Sequence, residues 1–262
     1  MDSPIGFRLL GPLEVRVRDV PVAITAQREA VIMAALLFHA DTVVSTHQLV
    51  DAVWDAALPA NPANQIAICV LALRTKLAAA GAPEDVVVTR APGYFLRVGD
   101  GLLDTRVVDE HVERAAEAEE AGRLEEALSA LRAALGQWRG PVLSGVRSRW
   151  LKPEIVRWEE RRVALAEWCI QLELDLGHHH RVIGELSAMV ADAGLRERPR
   201  EQLMIALYRA GRTAQALSVY RVTRQMFLAE LGIEPSARLR GVHDAILAGT
   251  LAMAPEQPAG KS

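Results

Sequence analysis

Two short stretches carry residue types suited to reading nucleic acid. Asn64, Gln65, Arg74, Thr75 and Lys76 fall within thirteen consecutive residues, and Thr89, Arg90 and Tyr94 follow shortly after. Asn and Gln amides pair bidentately with adenine edges, whereas Arg and Lys bind guanine edges or phosphates. Earlier in the chain, Gln27 and Arg28 open an apolar stretch where free backbone amides and a cation could take a further phosphate. The remaining constellations are poorer in chemistry. Adjacent side chains on a helix are turned about 100° apart, so His178-His179-His180 do not share a face for a metal ion. They read as solvated turn residues. Glu119-Glu120, Glu125-Glu126 and Glu159-Glu160 flank arginines at helical spacing and read as surface ion pairs. There is no phosphate-cradling glycine loop, nucleophile elbow or zinc ligand set. Neither enzymatic activity, nor a metal, nor a cofactor is therefore expected.

The elements that must hold the polar residues can be read from periodicity. Residues 7–10, 13–18 and 21–24 are short, β-rich and broken by Gly11-Pro12 and Asp19, which predicts small antiparallel strands. Thr25 is expected to cap a helix over 26–40, and Ser45 a second over 46–55. A third, over 64–80, places Ile66, Val70, Leu73 and Leu77 at 0, 4, 7, 11 spacing, an inward stripe that leaves the amides and cations outside. Residues 86–89 and 94–98 flank Ala91-Pro92-Gly93, a hairpin signature. Strand, three helices, then hairpin is the order of a winged helix-turn-helix, whose third helix enters the major groove while the wing lies along the adjacent backbone. A helix with two amides and two cations is also what any solvated amphipathic helix looks like. The ordered assembly, not any one residue, carries the reading.

After Gly99-Asp100-Gly101 the strands are expected to stop, and helical periodicity runs from Thr105 to Gly249. Gly122-Arg123, Gly177-His178 and Gly211-Arg212 each start a segment with small or apolar residues at +5, +6 and +9. The last two glycines are 34 positions apart, the period of tetratricopeptide helical hairpins, and the first interval is 55. An irregular all-α repeat domain follows, with Trp138, Trp150, Trp158 and Trp168 expected in its core. The expected boundaries are 1–100 for an α+β winged helix, 101–253 for the tetratricopeptide-like domain and 254–262 for a disordered tail. Cys69 and Cys169 read as two reduced, buried thiols.

Val88-Thr89-Arg90-Ala91-Pro92-Gly93-Tyr94 resembles the wing of OmpR-type winged helices, and residues 66–77, ending Leu73-Arg74-Thr75-Lys76-Leu77, resemble their recognition helix. Phe7-Arg8-Leu9-Leu10-Gly11-Pro12-Leu13-Glu14-Val15, Leu135-Gly136-Gln137-Trp138-Arg139-Gly140, Arg196-Glu197-Arg198, residues 202–204 and 206–212, and Glu230-Leu231-Gly232-Ile233-Glu234-Pro235 narrow the likeness. Together they resemble the Streptomyces antibiotic regulatory proteins, a winged helix followed by a bacterial transcriptional activation domain, over about residues 5 to 250. The resemblance implies an activator of an antibiotic biosynthetic gene cluster. It implies binding to double-stranded DNA at tandem direct repeats, as side-by-side homodimers, and recruitment of RNA polymerase through its sigma and alpha subunits. Cys69, Leu71 and Ala72 stand where that pattern often carries polar or basic residues. Leu71 is expected to pack against the hairpin, the alternatives being a thymine methyl or a protein partner.

The 262 residues carry a net charge of only −3, and the first hundred hold eight Lys/Arg against ten Asp/Glu. DNA-binding modules are usually basic, so placement would have to supply the positive face, through Arg74, Lys76, Arg90 and Arg97. The longest apolar run, residues 30–38, is too short to span a membrane, and nothing at the N-terminus resembles a secretion signal. A cytoplasmic protein is expected. Two other readings remain open at this level: a helical-repeat scaffold or effector-sensing interaction protein, and the N-terminal part of a larger ATP-binding regulator.

Overall fold

The computed structural model describes residues 5–55, 57–99, 102–192 and 194–252; the expected disordered tail lies outside the described residues. Chain contacts divide them into two compact units. The first contains residues up to Glu113 together with Ala133–Val163, and the second contains Arg114–Arg132 and the residues from Ala164 onward. The contacts thus do not divide at the expected boundary near residue 100.

In the first unit, β1 (Ile5–Arg8), β2 (Glu14–Val17) and β3 (Val20–Pro21) precede α1 (Gln27–Phe38), β4 (Val43–Ser45), α2 (Thr46–Val53) and α3 (Pro62–Ala79). The hairpin β5 (Val87–Arg90) and β6 (Gly93–Leu96) follows, then β7 (Leu102–Leu103). The strands therefore do not stop at Gly101. β7 pairs in parallel with β1 and closes a sheet of order β3-β2-β1-β7. A second sheet, β4-β6-β5, forms the wing.

All residues from Glu29 to Leu37 of α1 are buried, which explains why its sequence is apolar on every side. Its N-cap is Ala26, without a side-chain cap, rather than Thr25. Ser45 caps α2 as expected: its hydroxyl accepts from Gln48 N, and Gln48 Oε1 accepts from Ser45 N, a reciprocal capping box. Asn61 Oδ1 accepts from Asn64 N at 3.1 Å, and Pro62 stands at the first position of α3, where its missing N–H costs nothing.

The same unit takes in α4 (Asp104–Glu120) up to Glu113, the end of α5 (Leu124–Leu135), and the first half of α6 (Lys152–Asp175). Asp104 Oδ2 accepts from Leu9 N and Leu10 N, both at 2.8 Å. Arg139 N donates to Leu10 O at 2.8 Å, and its guanidinium reaches Glu14 Oε1 at 2.5 Å and Pro12 O at 3.2 Å. The 7–15 and 135–140 stretches are thus two sides of one joint. Burial pushes the Asp104 carboxyl up, while the amides of Leu10 and Leu9 and the Arg139 guanidinium hold it partly down. Trp138 and Trp158 are buried beside each other, their ring centroids 6.1 Å apart, whereas Trp150 and Trp168 are only half-buried.

The second unit continues with α7 (His179–Asp192), α8 (Arg198–Arg209), α9 (Thr213–Leu231) and α10 (Ala237–Ala248). Gly122, Gly177 and Gly211 lie in the turns before α5, α7 and α9, each at positive φ (71°, 80° and 73°). In all three the glycine N–H bonds a carbonyl three residues back, and the next N–H bonds one five residues back. This is the Schellman ending that a left-handed glycine permits. The residues at +5, +6 and +9 are core: Ala127, Leu128, Leu131, Val182, Ile183, Leu186, Ala216 and Tyr220 are buried, and Leu217 packs against the cluster formed by the last five.

Two surface expectations fail here. His178 is not a solvated turn residue: its Nδ1 lies 2.7 Å from Glu173 Oε2, and the same buried carboxylate pairs with Arg132. Of the paired carboxylates, Glu126 does pair with Arg123. Glu119 instead accepts from Trp168 Nε1, and in the first unit Glu159 accepts from Val142 N.

Candidate nucleic-acid interface

Both faces of α3 follow the same spacing. Ile66, Val70, Leu73 and Leu77 are at most 2% exposed and pack inward as the pattern predicts. Asn64, Ile68, Leu71 and Thr75, again at 0, 4, 7, 11, form the opposite, exposed row, with Gln65 half-exposed beside it. Leu71 is 63% exposed and Ile68 51%, so Leu71 does not pack against the hairpin. Thr75 Oγ1 donates to Leu71 O, one turn back.

The two cations of α3 are turned away from this row. Arg74 donates from Nε to Val87 O at 2.8 Å and from Nη2 to Thr89 Oγ1 at 2.9 Å, clamping α3 to β5. Lys76 Nζ is 2.5 Å from Glu29 Oε2, a largely buried pair that locks α3 to the first turn of α1. Arg97 pairs with Asp85 at 3.2 Å. Of the four cations expected to build a positive face, only Arg90 has no anionic or carbonyl partner among the described residues. It is exposed at the end of β5, with its guanidinium carbon 5.8 Å from the Phe95 ring centre.

The wing is fixed at its base. Thr46 N donates to Pro92 O, so the β5–β6 turn, with its cis Ala91-Pro92 bond, rests on the start of α2. A Cβ on Gly93 would lie 1.9 Å from Val44 O and 2.6 Å from Ser45 Cα, an approach of β6 to β4 that only glycine allows. Tyr94 pairs with Val44 in the sheet and is only 8% exposed, so the structure places it in the core rather than on the outside. Thr89 is exposed and holds Arg74.

Gln27 and Arg28 are exposed at the start of α1. Gln27 Nε2 donates to Arg147 O at 3.2 Å, and the Arg28 guanidinium lies over the Trp54 ring at 5.3 Å. Ser148 Oγ donates to Ala52 O at 2.6 Å, and Trp150 meets His39 edge to face. The 147–152 segment is therefore laid along α1 and the end of α2. It brings three exposed cations, Arg147, Arg149 and Lys152, which with Arg28 have no carboxylate partner among the described residues. Sequence reading missed them because they lie some 120 residues from Gln27 and have no helical periodicity to mark them.

Residues 103–247 match the family described as "Bacterial transcriptional activator domain", and residues 21–96 match "Transcriptional regulatory protein, C terminal". Regulatory protein DnrI of Streptomyces peucetius is 34% identical over 98% of both chains. Regulatory protein AfsR of Streptomyces coelicolor is 34% identical over 95% of this chain, which spans only a quarter of that relative's length. Transcriptional regulatory protein EmbR of Mycobacterium tuberculosis is 32% identical over 94% of this chain, which spans 64% of that protein. The solved structure of EmbR in complex with a low-affinity phosphopeptide superposes with a TM-score of 0.89 at 30% identity, covering 97% of this chain and 66% of that one. Among the described residues no helix is long and apolar enough to cross a membrane.

Proposed function

From the premise that this chain belongs to the Streptomyces antibiotic regulatory protein family, whose members are transcriptional regulators and not enzymes, we propose that it is a DNA-binding activator of a secondary-metabolite gene cluster. It binds tandem direct repeats near a promoter as a side-by-side homodimer in the cytoplasm, and recruits RNA polymerase through the sigma and alpha subunits. The observation that carries this reading is the outward row of α3, free of intramolecular cover among the described residues and braced by α1, α2 and the wing strand β5. Asn64, Gln65 and Thr75 face the base edges from that helix. Arg90 at the wing and the cluster of Arg28, Arg147, Arg149 and Lys152 supply the phosphate contacts, in place of Arg74 and Lys76.

An anisotropy titration on direct-repeat duplexes tests this. The expected result is preference over scrambled repeats, with affinity falling steeply as salt rises. Arg90→Ala weakens binding to every sequence alike, whereas Gln65→Ala relaxes preference at one base position. Equal affinity for repeats and scrambled DNA would falsify the reading. The exposed Ile68 and Leu71 also fit a module that binds protein through α3, and co-purification of a partner with no DNA shift would decide for that alternative.

A further inference from the structure

The outward row of α3 is polar only at its ends. Asn64 stands at the start and Thr75 at the finish, and between them Ile68 and Leu71 project 51% and 63% of their surface. Among the described residues nothing covers them, because they stand opposite the buried stripe of Ile66, Val70 and Leu73. No free guanidinium or ammonium shares the row, since Arg74 and Lys76 are held by β5 and by Glu29. Two aliphatic side chains cannot bond a phosphate, nor the donors and acceptors of guanine, cytosine or adenine. In the major groove one group suits them, the C5-methyl of thymine. A protein occupant is the poorer fit: two side chains flanked by Asn and Thr fall far short of the roughly 800 Å² per partner that a stable protein interface buries.

Resting on the DNA-binding reading above, we propose that Ile68 and Leu71 are specificity-determining residues that read thymine methyl groups in the major groove. Asn64 and Thr75 contribute polar contacts at either end of the same row. Sequence preference under the middle of α3 is then set by apolar contact rather than by a hydrogen-bonded Arg–guanine pair.

The test changes the DNA by one methyl at a time. The full chain selects its repeat from a random-sequence duplex pool, and each thymidine in the selected half-site is replaced in turn by deoxyuridine. Replacement at one or two positions is expected to weaken wild-type binding about three- to fivefold, the scale of one buried carbon. Leu71→Ala and Ile68→Ala should each bind the thymidine and deoxyuridine duplexes equally at the matching position, with unchanged salt dependence. Both are exposed helix positions where alanine is well tolerated. A selected half-site without thymine overturns the proposal. So does a repeat bound specifically but indifferent to every deoxyuridine, or discrimination that persists in both variants; in these cases the DNA-binding reading stands. Failure to select any repeat overturns both together.

Discussion

The three glycine turns of the second unit and the Asp104–Arg139 joint of the first hold their elements in place over very different distances along the chain. Each glycine turn is closed by bonds to carbonyls three and five residues back, repeated at Gly122, Gly177 and Gly211. The joint binds Leu9 and Leu10 to Asp104, and Pro12 and Glu14 to Arg139, across 94 to 127 residues. The turns of the repeat unit are therefore each closed locally, although their spacing along the chain is uneven, 55 and then 34 residues. The winged helix is bonded to residues well beyond its own hairpin. Residues after position 100 thus help to frame the unit that presents α3.

The largest effect expected from breaking this comparison is at Gly93. Gly93→Ala drives a Cβ into the Val44 carbonyl and Ser45 Cα, backbone atoms that cannot swing aside, and should cost at least about 3 kcal/mol. The loss should register in chemical denaturation and as faster amide exchange in 43–45 and 87–96, with 198–231 unaffected. Exchange that rises equally in both units would show that they are not separable.

Next comes the joint. Asp104→Ala leaves the buried N–H groups of Leu9 and Leu10 without an acceptor, at a cost of about 3 kcal/mol. Asp104→Asn keeps an acceptor oxygen and should retain most of that stability. The pH dependence has a definite sign. Burial raises the Asp104 carboxyl above its unfolded value, so the folded state holds the proton longer. Its contribution is present in full at low pH and declines as pH rises through the raised value. Wild-type protein should therefore lose stability relative to Asp104→Asn as pH climbs above the ordinary carboxylate range. A difference between the two that is flat with pH would refute the burial argument.

These contrasts also explain what could be read from the chain. The repeat positions Val182, Ile183 and Leu186 and the α3 stripe were legible because periodicity records which way a side chain points on its own helix. The capping box at Ser45 was legible because its partner is three residues away. β7 was not, since two residues after a glycine pair carry no alternation. The clamps on Arg74 and Lys76 were hidden for a further reason. Residue type shows that a cation is present, while whether it faces solvent or Glu29 depends on how α1 and α3 cross. Tyr94 was misplaced in the same way, since its face of β6 is decided by pairing with β4.

A smaller effect should follow at Gly211. A Cβ there meets nothing within 4 Å, so the cost of Gly211→Ala comes only from holding alanine at φ 73°, about 1–2 kcal/mol. The change in exchange should be confined to α8 and α9. Comparable exposure of residues 5–17 would contradict the local character assigned to these turns.

The least perturbing test uses the one thiol in each unit. Cys169 is pushed up to about 11, first by burial, and Cys69 is raised by burial and then by the nearby Glu29 carboxylate. The thiolate is the reactive species, so both should alkylate more slowly at pH 8 than in denatured protein. The Cys169 rate should keep rising with pH towards about 11. The two then part on adding the selected DNA duplex. Cys69 lies on α3 between the buried and exposed rows, so bound DNA should slow its reaction, while Cys169 in α6 reacts as before. Equal protection of both would mean that DNA alters the second unit as well. Protection of neither would place α3 away from the groove.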